Sequence, residues 1–274
     1  MTNGRIVKIV SNDYTVVTAK GRITCKPKGV FRLHGEVPMV GDIVTVSDEN
    51  VITKIHPRKN QLYRPFVSNV DQVVVVISVR QPNLSSYLLD KLLVIIAYEN
   101  IKPIICFTKI DLLEDKQSLH AFKQYYQTIG YEVFTNENNE ILQVFSDKVT
   151  VFAGQTGVGK SSLLNQLDNR LKIKTDEISL ALGRGKHTTR HVELYEIGGG
   201  YVADTPGFSA LDFRTMTAED IRDNVAEFAL YREKCQYRDC YHIREDKCYV
   251  KKMLAEGKIL KSRYQNYLKF MEEV

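Results

Sequence analysis

The apolar run Val149–Ala153 opens directly into Gly154-Gln155-Thr156-Gly157-Val158-Gly159-Lys160-Ser161-Ser162, after which Leu163 and Leu164 begin a helical pattern. This G-x-x-x-x-G-K-S stretch constrains the fold more than any other feature of the chain. Its glycines let the backbone curl, so that successive N–H groups face a phosphate chain at the N-terminus of the following helix. Such a loop works between a buried strand and a helix, which demands an α/β domain. In that setting Lys160 is expected to reach the β- and γ-phosphates of a nucleoside triphosphate and Ser161 to ligate the accompanying Mg²⁺. The backbone from Gly154 to Ser162 forms the cradle.

Order is the second constraint. Thr108-Lys109-Ile110-Asp111 follows the apolar strand Pro103–Phe107 and lies upstream of the phosphate loop. In this [N/T]-K-x-D pattern the aspartate accepts hydrogen bonds from guanine N1–H and N2–H₂, and the lysine stem lies along the base. Adenine lacks that donor pair and leaves the carboxylate unpaired. The loop on the other side of the base is expected after Tyr131–Phe134, near Thr135-Asn136, although the usual Ser-Ala signature is absent there. In an ordinary GTPase the phosphate loop comes first and the base-reading element last. Here the order is reversed.

Two further segments fit a triphosphate. Asp204-Thr205-Pro206-Gly207 follows the strand Tyr201–Ala203, where Asp204 can hold Mg²⁺ through water and Gly207 N–H can sense the γ-phosphate. Between the two motifs lies Gly183–Arg190, polar and glycine-bearing. Thr189, in preference to Thr188, is expected to close on Mg²⁺ and γ-phosphate and to let go after hydrolysis. The position after Gly207, where Ras-like enzymes carry a water-positioning glutamine, is Phe208. A phenyl ring cannot orient water by hydrogen bonding, so His187 is the candidate for that role, a structural or RNA-contacting histidine being the alternative.

The first 65 residues read as short strands at Arg5–Val10, Tyr14–Thr18, Arg22–Cys25, Gly41–Val46 and Val51–Ile55, separated by turn formers. Five short strands without helical period predict an all-β, OB-like barrel over 1–65. That stretch holds 11 Lys and Arg against 5 Asp and Glu, with Arg22, Lys26, Lys28 and Arg32 close together. Such a face suits a nucleic-acid backbone; a purely structural barrel is the alternative. Residues 66–212 then alternate between strand and helix. Asn69–Val79 is a β-branched run of the kind buried on both faces of a sheet. Tyr87–Tyr98 and Gln117–Thr128 read as helices, and Pro103–Phe107, Tyr131–Thr135 and Val149–Ala153 as strands, a doubly wound α/β order.

From residue 213 the pattern turns helical. Thr217-Ala-Glu-Asp220 has the form of a capped start, Ile221, Val225, Phe228 and Ala229 continue in helical register, and a last helix is predicted near Lys258–Glu272. Between them Cys235-x₄-Cys240-x-His242-x₅-Cys248 offers three thiolates and one imidazole among charged neighbours. Four such ligands fill a tetrahedral Zn²⁺ shell, so residues 213–274 are expected to be a mainly helical domain around one structural zinc. Cys25 and Cys106 lie in apolar strands and read as inert core residues. The cysteine usage, the lack of a basic-then-apolar leader and of any apolar run near ~20 residues predict a cytoplasmic protein with no membrane partner. Residues 231–274 hold 11 Lys and Arg against 7 Asp and Glu, and 66–230 hold 16 against 21. Basic ends around an acidic middle fit flanks that touch a polyanion.

Together, GQTGVGKSSLLN at 154–165, GRGKHTTRH at 183–191, DTPGF at 204–208, the upstream TKID, the barrel and the cysteine–histidine tail resemble the RsgA family of circularly permuted GTPases. The resemblance spans essentially the whole chain and departs only in the guanine-side loop and at Thr189-Arg190, where many relatives run three threonines. It implies an enzyme that hydrolyses GTP to GDP and phosphate. It further implies binding to the 30S ribosomal subunit and its 16S rRNA late in assembly, stimulation by that subunit, and release. A monomer is expected. Two other readings stay open: an RNA-binding protein that uses GTP only as a conformational ligand, and a GTPase acting on another nucleic acid or a protein. The permutation also makes the segment after Asp204–Gly207 the exit toward residues 213–274, so motion near Phe208–Asp212 is expected to reach them.

Overall fold

Alternating burial builds the first sheet. In β2 (Asp13–Thr18) the side chains of Tyr14, Val16 and Thr18 are buried while their neighbours are not, the period of a strand with one solvated face. β2 pairs antiparallel with β1 (Thr2–Val10) and β3 (Gly21–Pro27). After a single helical turn, α1 (Val30–Leu33), strand β4 (Ile43–Val46) closes on β1. β5 (Val51–Ile55) runs antiparallel to β4 and parallel to β3. The closed order β1-β2-β3-β5-β4 is the OB-type barrel predicted from the sequence. The computed structural model describes residues 1–33, 35–63, 66–171, 192–203 and 212–274.

A buried carboxylate fastens the barrel to the chain that leaves it. Asp42 accepts from Arg58 Nε at 2.7 Å and Nη2 at 2.8 Å, from Ser68 Oγ at 2.6 Å and from the Met39 amide at 2.8 Å. Neighbouring Gly41 has φ +95°, and a Cβ there would stand 2.1 Å from the Ser68 carbonyl oxygen. Ser68 ends a short hairpin of β6 (Gln61–Tyr63) and β7 (Phe66–Ser68).

The described chain packs as two compact units, Met1–Val74 with Asn138–Ser209 and Val75–Glu137 with Ala210–Val274. The division falls inside β8 (Gln72–Ser78), whose seven residues are all buried. In the first unit the start of β8 is tied to β11 (Val149–Ala153): Asp71 accepts from the Val149 backbone amide at 2.8 Å and Gln72 Nε2 donates to Thr150 Oγ1 at 2.9 Å. β11 runs parallel to β13 (Gly200–Ala203), which pairs antiparallel with β12 (Leu194–Ile197) across a Gly198-Gly199 turn. Both turn glycines have positive φ, +58° and +76°. Helix α4 (Lys160–Leu167) follows β11 through the phosphate loop.

In the second unit β9 (Lys102–Thr108) runs parallel to β10 (Glu132–Thr135), with α2 (Ser86–Tyr98) and α3 (Gln117–Thr128) in the connections. The C-terminal helices α5 (Ala218–Asp223), α6 (Ala226–Tyr231), α7 (Tyr249–Ala255) and α8 (Lys261–Met271) belong to the same unit. Val94 and Ile95 of α2 share one core with Phe213, Ile221, Phe228, Tyr267 and Phe270. Within this unit Arg263 of α8 is fully surrounded. It donates to Glu227 at 2.5 and 2.6 Å and to Asp90, which also accepts from Tyr126 OH and Asn266 Nδ2 at 2.6 Å. One difference from the sequence expectation stands out in α5. The Thr217–Asp220 capping box forms, but the helical register through Ala229 is interrupted. Asn224 closes α5 by donating through Nδ2 to the Asp220 carbonyl, and Val225 is extended, so α6 begins afresh. No helix among the described residues is long and apolar enough to cross a membrane.

Candidate nucleotide-binding elements and metal centre

In the first unit β11 ends on Ala153 and α4 starts at Lys160. The loop between them turns on three glycines with positive φ: Gly154 at +143°, Gly157 at +81° and Gly159 at +96°. These are backbone conformations that a side chain disfavours, which is the physical reason for glycine at each. Val158 is buried and anchors the loop, while Thr156 and Gly157 are exposed at its tip and Gln155 is half-buried. Lys160 is buried as well, and its ammonium donates to the carbonyls of Gly154 and Gln155 at 2.8 Å each. The cation is thus folded over the loop that would hold a phosphate chain. Ser161 is buried in the first turn of α4 beside it, and Ser162 is exposed.

In the second unit Thr108 is the buried last residue of β9. Lys109 then takes the left-handed conformation, φ 59° and ψ 36°, and starts a 3₁₀ turn over Ile110–Leu112. This abrupt turn leaves Ile110 buried and Asp111 exposed at the strand's C-terminal end. The Lys109 ammonium donates to the Gln81 carbonyl in the loop after β8, a partner that no sequence pattern announced. At the end of β10 the Asn136 amide donates to the Phe107 carbonyl at 3.0 Å. The Thr135-Asn136 loop therefore stands next to the strand end that carries Thr108–Asp111. His187, Thr189, Asp204, Gly207 and Phe208 lie outside the described residues.

The cysteine–histidine group closes in three dimensions. The ligand atoms of Cys235, Cys240, His242 and Cys248 all lie within 4.8 Å of one another. Cys235 Sγ is 3.9 Å from Cys248 Sγ and 3.6 Å from His242 Nδ1, which is 3.3 Å from Cys248 Sγ. A tetrahedral zinc with Zn–S about 2.3 Å and Zn–N about 2.0 Å places sulfurs about 3.8 Å apart and sulfur about 3.5 Å from nitrogen. The group can hold a metal ion. Its second layer is built as well: the amides of Tyr249 and Lys251 donate to Cys235 and Cys248 sulfur at 3.3 and 3.4 Å. Glu245 accepts from the Tyr241 and Ile243 amides, and Tyr264 and Tyr267 donate to the carbonyls of His242 and Tyr241. Burial pushes the Cys240 thiol up to about 12 and His242 down to about 4. An ion must therefore displace thiol protons to bind. Cys106, by contrast, is fully buried in β9, and burial pushes its thiol up to about 12, in keeping with an inert core residue.

Comparison with known proteins places these elements in one family. Residues 55–214 match the RsgA GTPase family and residues 3–52 the RsgA N-terminal domain. The chain is 45% identical to the small ribosomal subunit biogenesis GTPase RsgA 2 of Oceanobacillus iheyensis, covering 100% of this chain and 98% of that protein. It is 46% identical, with the same coverage, to the small ribosomal subunit biogenesis GTPase RsgA of Bacillus anthracis. The chain belongs to the RsgA GTPase family. Among solved structures, YloQ, described as a circularly permuted GTPase, is similar with a TM-score of 0.85 and 38% identity, over 100% of this chain and 94% of that one. YjeQ from Thermotoga maritima has a TM-score of 0.85 and 33% identity, over 99% and 98%. The reversed motif order is thus the permutation of the RsgA fold, a GTPase carrying an N-terminal barrel. What sequence reasoning missed in this RsgA-family chain are partners without motifs: Gln81 under Lys109, and the buried Asp90–Arg263–Glu227 group. Asp90 and Arg263 are 173 positions apart, and no short-range pattern links them.

Proposed function

We propose that this GTPase acts on the small ribosomal subunit, hydrolysing GTP to GDP and phosphate late in the subunit's maturation and leaving afterwards. The observation that carries the reading is the glycine-turned loop with Lys160 folded over it and Ser161 at the head of α4. It stands in a chain similar along its full length to proteins named for small-subunit biogenesis. Gly154 through Ser162 surround the phosphates, and Lys160 neutralises charge that builds on the β–γ bridge and γ-phosphate. Asp111 reads the guanine, with Thr108 and Lys109 setting its turn and flanking the base. Ser161 and Thr189 would hold the Mg²⁺ that accompanies GTP, with Asp204 supporting it, and the ion would supply neutralisation of phosphate charge. Gly207 would sense the γ-phosphate, and His187 would orient the attacking water.

The functional parts follow the chain: 1–65 as the nucleic-acid-binding barrel, 66–212 as the permuted GTPase domain and 213–274 as the zinc-binding helical domain. Zinc is the ion assigned to Cys235, Cys240, His242 and Cys248, because three thiolates and one imidazole leave no position for water or substrate. The basic flanks meet 16S rRNA, and the protein works as a cytoplasmic monomer. Co-sedimentation with purified 30S, 50S and 70S particles, at fixed salt because phosphate contacts are screened, tests the partner. Retention on 30S in the presence of a non-hydrolysable GTP analogue, and loss with GDP, is the expected result. Equal retention on all three particles would contradict it.

A further inference from the structure

The β12–β13 hairpin has an unusual place in the chain. Glu193 stands two residues after His191, and Ala203 immediately precedes Asp204. The hairpin's two ends therefore run, in sequence, into the two segments assigned above to the γ-phosphate. The barrel holds this hairpin within the first unit. A bulge in β1 between Ile6 and Lys8 shifts its register against β2, a device that re-aims the side chain beyond it. Lys8 there forms an isolated antiparallel bridge with Glu193, and its ammonium lies 2.7 Å from the Glu193 carboxylate. The Arg5 guanidinium stands over the Tyr201 ring, 5.7 Å from its centre. Arg22, one of the clustered barrel cations, reaches the Glu196 carboxylate at 3.5 Å. All three cations come from the barrel; Glu196 belongs to the hairpin and Glu193 immediately precedes it.

The contacts differ in strength. Lys8–Glu193 is reinforced by the backbone bridge and is partly covered. Arg22–Glu196 is long, with both side chains more than half exposed, and such pairs are easily traded. A phosphate arriving at the barrel's basic stretch competes with Glu196 for the same guanidinium. We infer that Lys8, Arg5 and Arg22 are positioning residues for the 30S-stimulated step of GTP hydrolysis, through which the barrel senses and sets the hairpin that joins the two γ-phosphate segments. This rests on the proposed assignment of those segments and of the barrel as the RNA-binding part. Lys8–Glu193 is the fixed attachment and Arg22–Glu196 the exchangeable one.

The test uses the full-length protein as wild type, Lys8→Glu, Glu193→Lys and the charge-swapped double variant. Phosphate release is measured with and without saturating 30S particles. Each single variant is expected to lose about fivefold of the 30S-stimulated kcat, while basal kcat and the KM for GTP stay within about twofold, and the swap is expected to recover stimulation. Singles with wild-type stimulation, or a swap that recovers nothing, overturn the inference. A second measurement needs no ribosomal particle: amide hydrogen exchange of β1 in GDP and in a non-hydrolysable GTP analogue. A nucleotide-dependent difference in wild-type β1 that disappears in Lys8→Glu supports the inference, and identical exchange in both states overturns it. If β1 responds to nucleotide but 30S does not stimulate the wild type, the coupling stands and the partner assignment fails.

Discussion

At the scale of single residues, selectivity for guanine in the proposed site rests on one exposed carboxylate. Asp111 reaches that position because Lys109 turns left-handed immediately after β9. Replacing Asp111 by Asn removes the acceptor for guanine N1–H and N2–H₂, which is expected to weaken GTP binding by about 2 kcal/mol, roughly 30-fold. Xanthine carries a carbonyl where guanine has its amino group, so the new amide should favour xanthosine triphosphate. Competition binding with the two nucleotides checks this, and unchanged GTP affinity would contradict it. Phe208 creates a second residue-scale expectation. His187→Ala should abolish 30S-stimulated turnover while GTP affinity stays within about twofold, because water orientation enters only the chemical step. Near-normal stimulated turnover in that variant would remove His187 from the mechanism. The residues that turn the chain were readable in advance because their constraint is local: Gly154, Gly157 and Gly159 all take the positive φ that a phosphate loop requires. Gln81 was not readable, because its contribution to Lys109 is a backbone carbonyl, which any residue type supplies.

At the scale of elements, the cysteine–histidine metal-ligand group and the buried charge group hold the C-terminal helices in different ways. Cys248 is both a metal-ligand candidate and the N-cap of α7, its sulfur accepting from the Lys251 amide. Removing the ion should therefore unfasten the start of that helix as well as the ligand group. Cys240→Ser, or treatment with a strong chelator, is expected to lower bound zinc from about one equivalent to near zero and to reduce helicity, read by metal analysis and circular dichroism. A metal-free protein with unchanged helicity and melting would contradict a structural ion. Arg263 presents the other case. Arg263→Met leaves Asp90 and Glu227 buried without their cation, which should cost about 3–5 kcal/mol in denaturant unfolding. A loss below about 1 kcal/mol would show that water reaches the group. Strands with strong alternation or continuous β-branched runs were legible, and Val51–Ile55, Gln117–Thr128 and Val149–Ala153 form with the predicted bounds. The α5–α6 break was hidden because Ile221, Val225 and Phe228 keep helical spacing across it. Tertiary packing and the Asn224 cap overrode that periodicity.

For the whole molecule, the permuted order sets which parts of the chain flank the nucleotide elements. The barrel is followed, after the β6–β7 hairpin, by β8, and the C-terminal helices share their core with α2, the helix that precedes the base-reading strand. A partition drawn along the sequence cannot show this, since α2 and Phe213 are far apart in the chain and meet only through packing. The permutation itself was fully legible, because the phosphate loop and the base-reading turn are both short local motifs whose order needs no structure. The most direct measurement of the proposed function is phosphate release from GTP by the wild-type protein alone and with equal amounts of 30S, 50S or 70S particles. A rise in kcat with 30S well above that with 50S or 70S is the expected result. A rate that 30S leaves unchanged, or that all three particles raise equally, would contradict an enzyme whose turnover is set by the small ribosomal subunit.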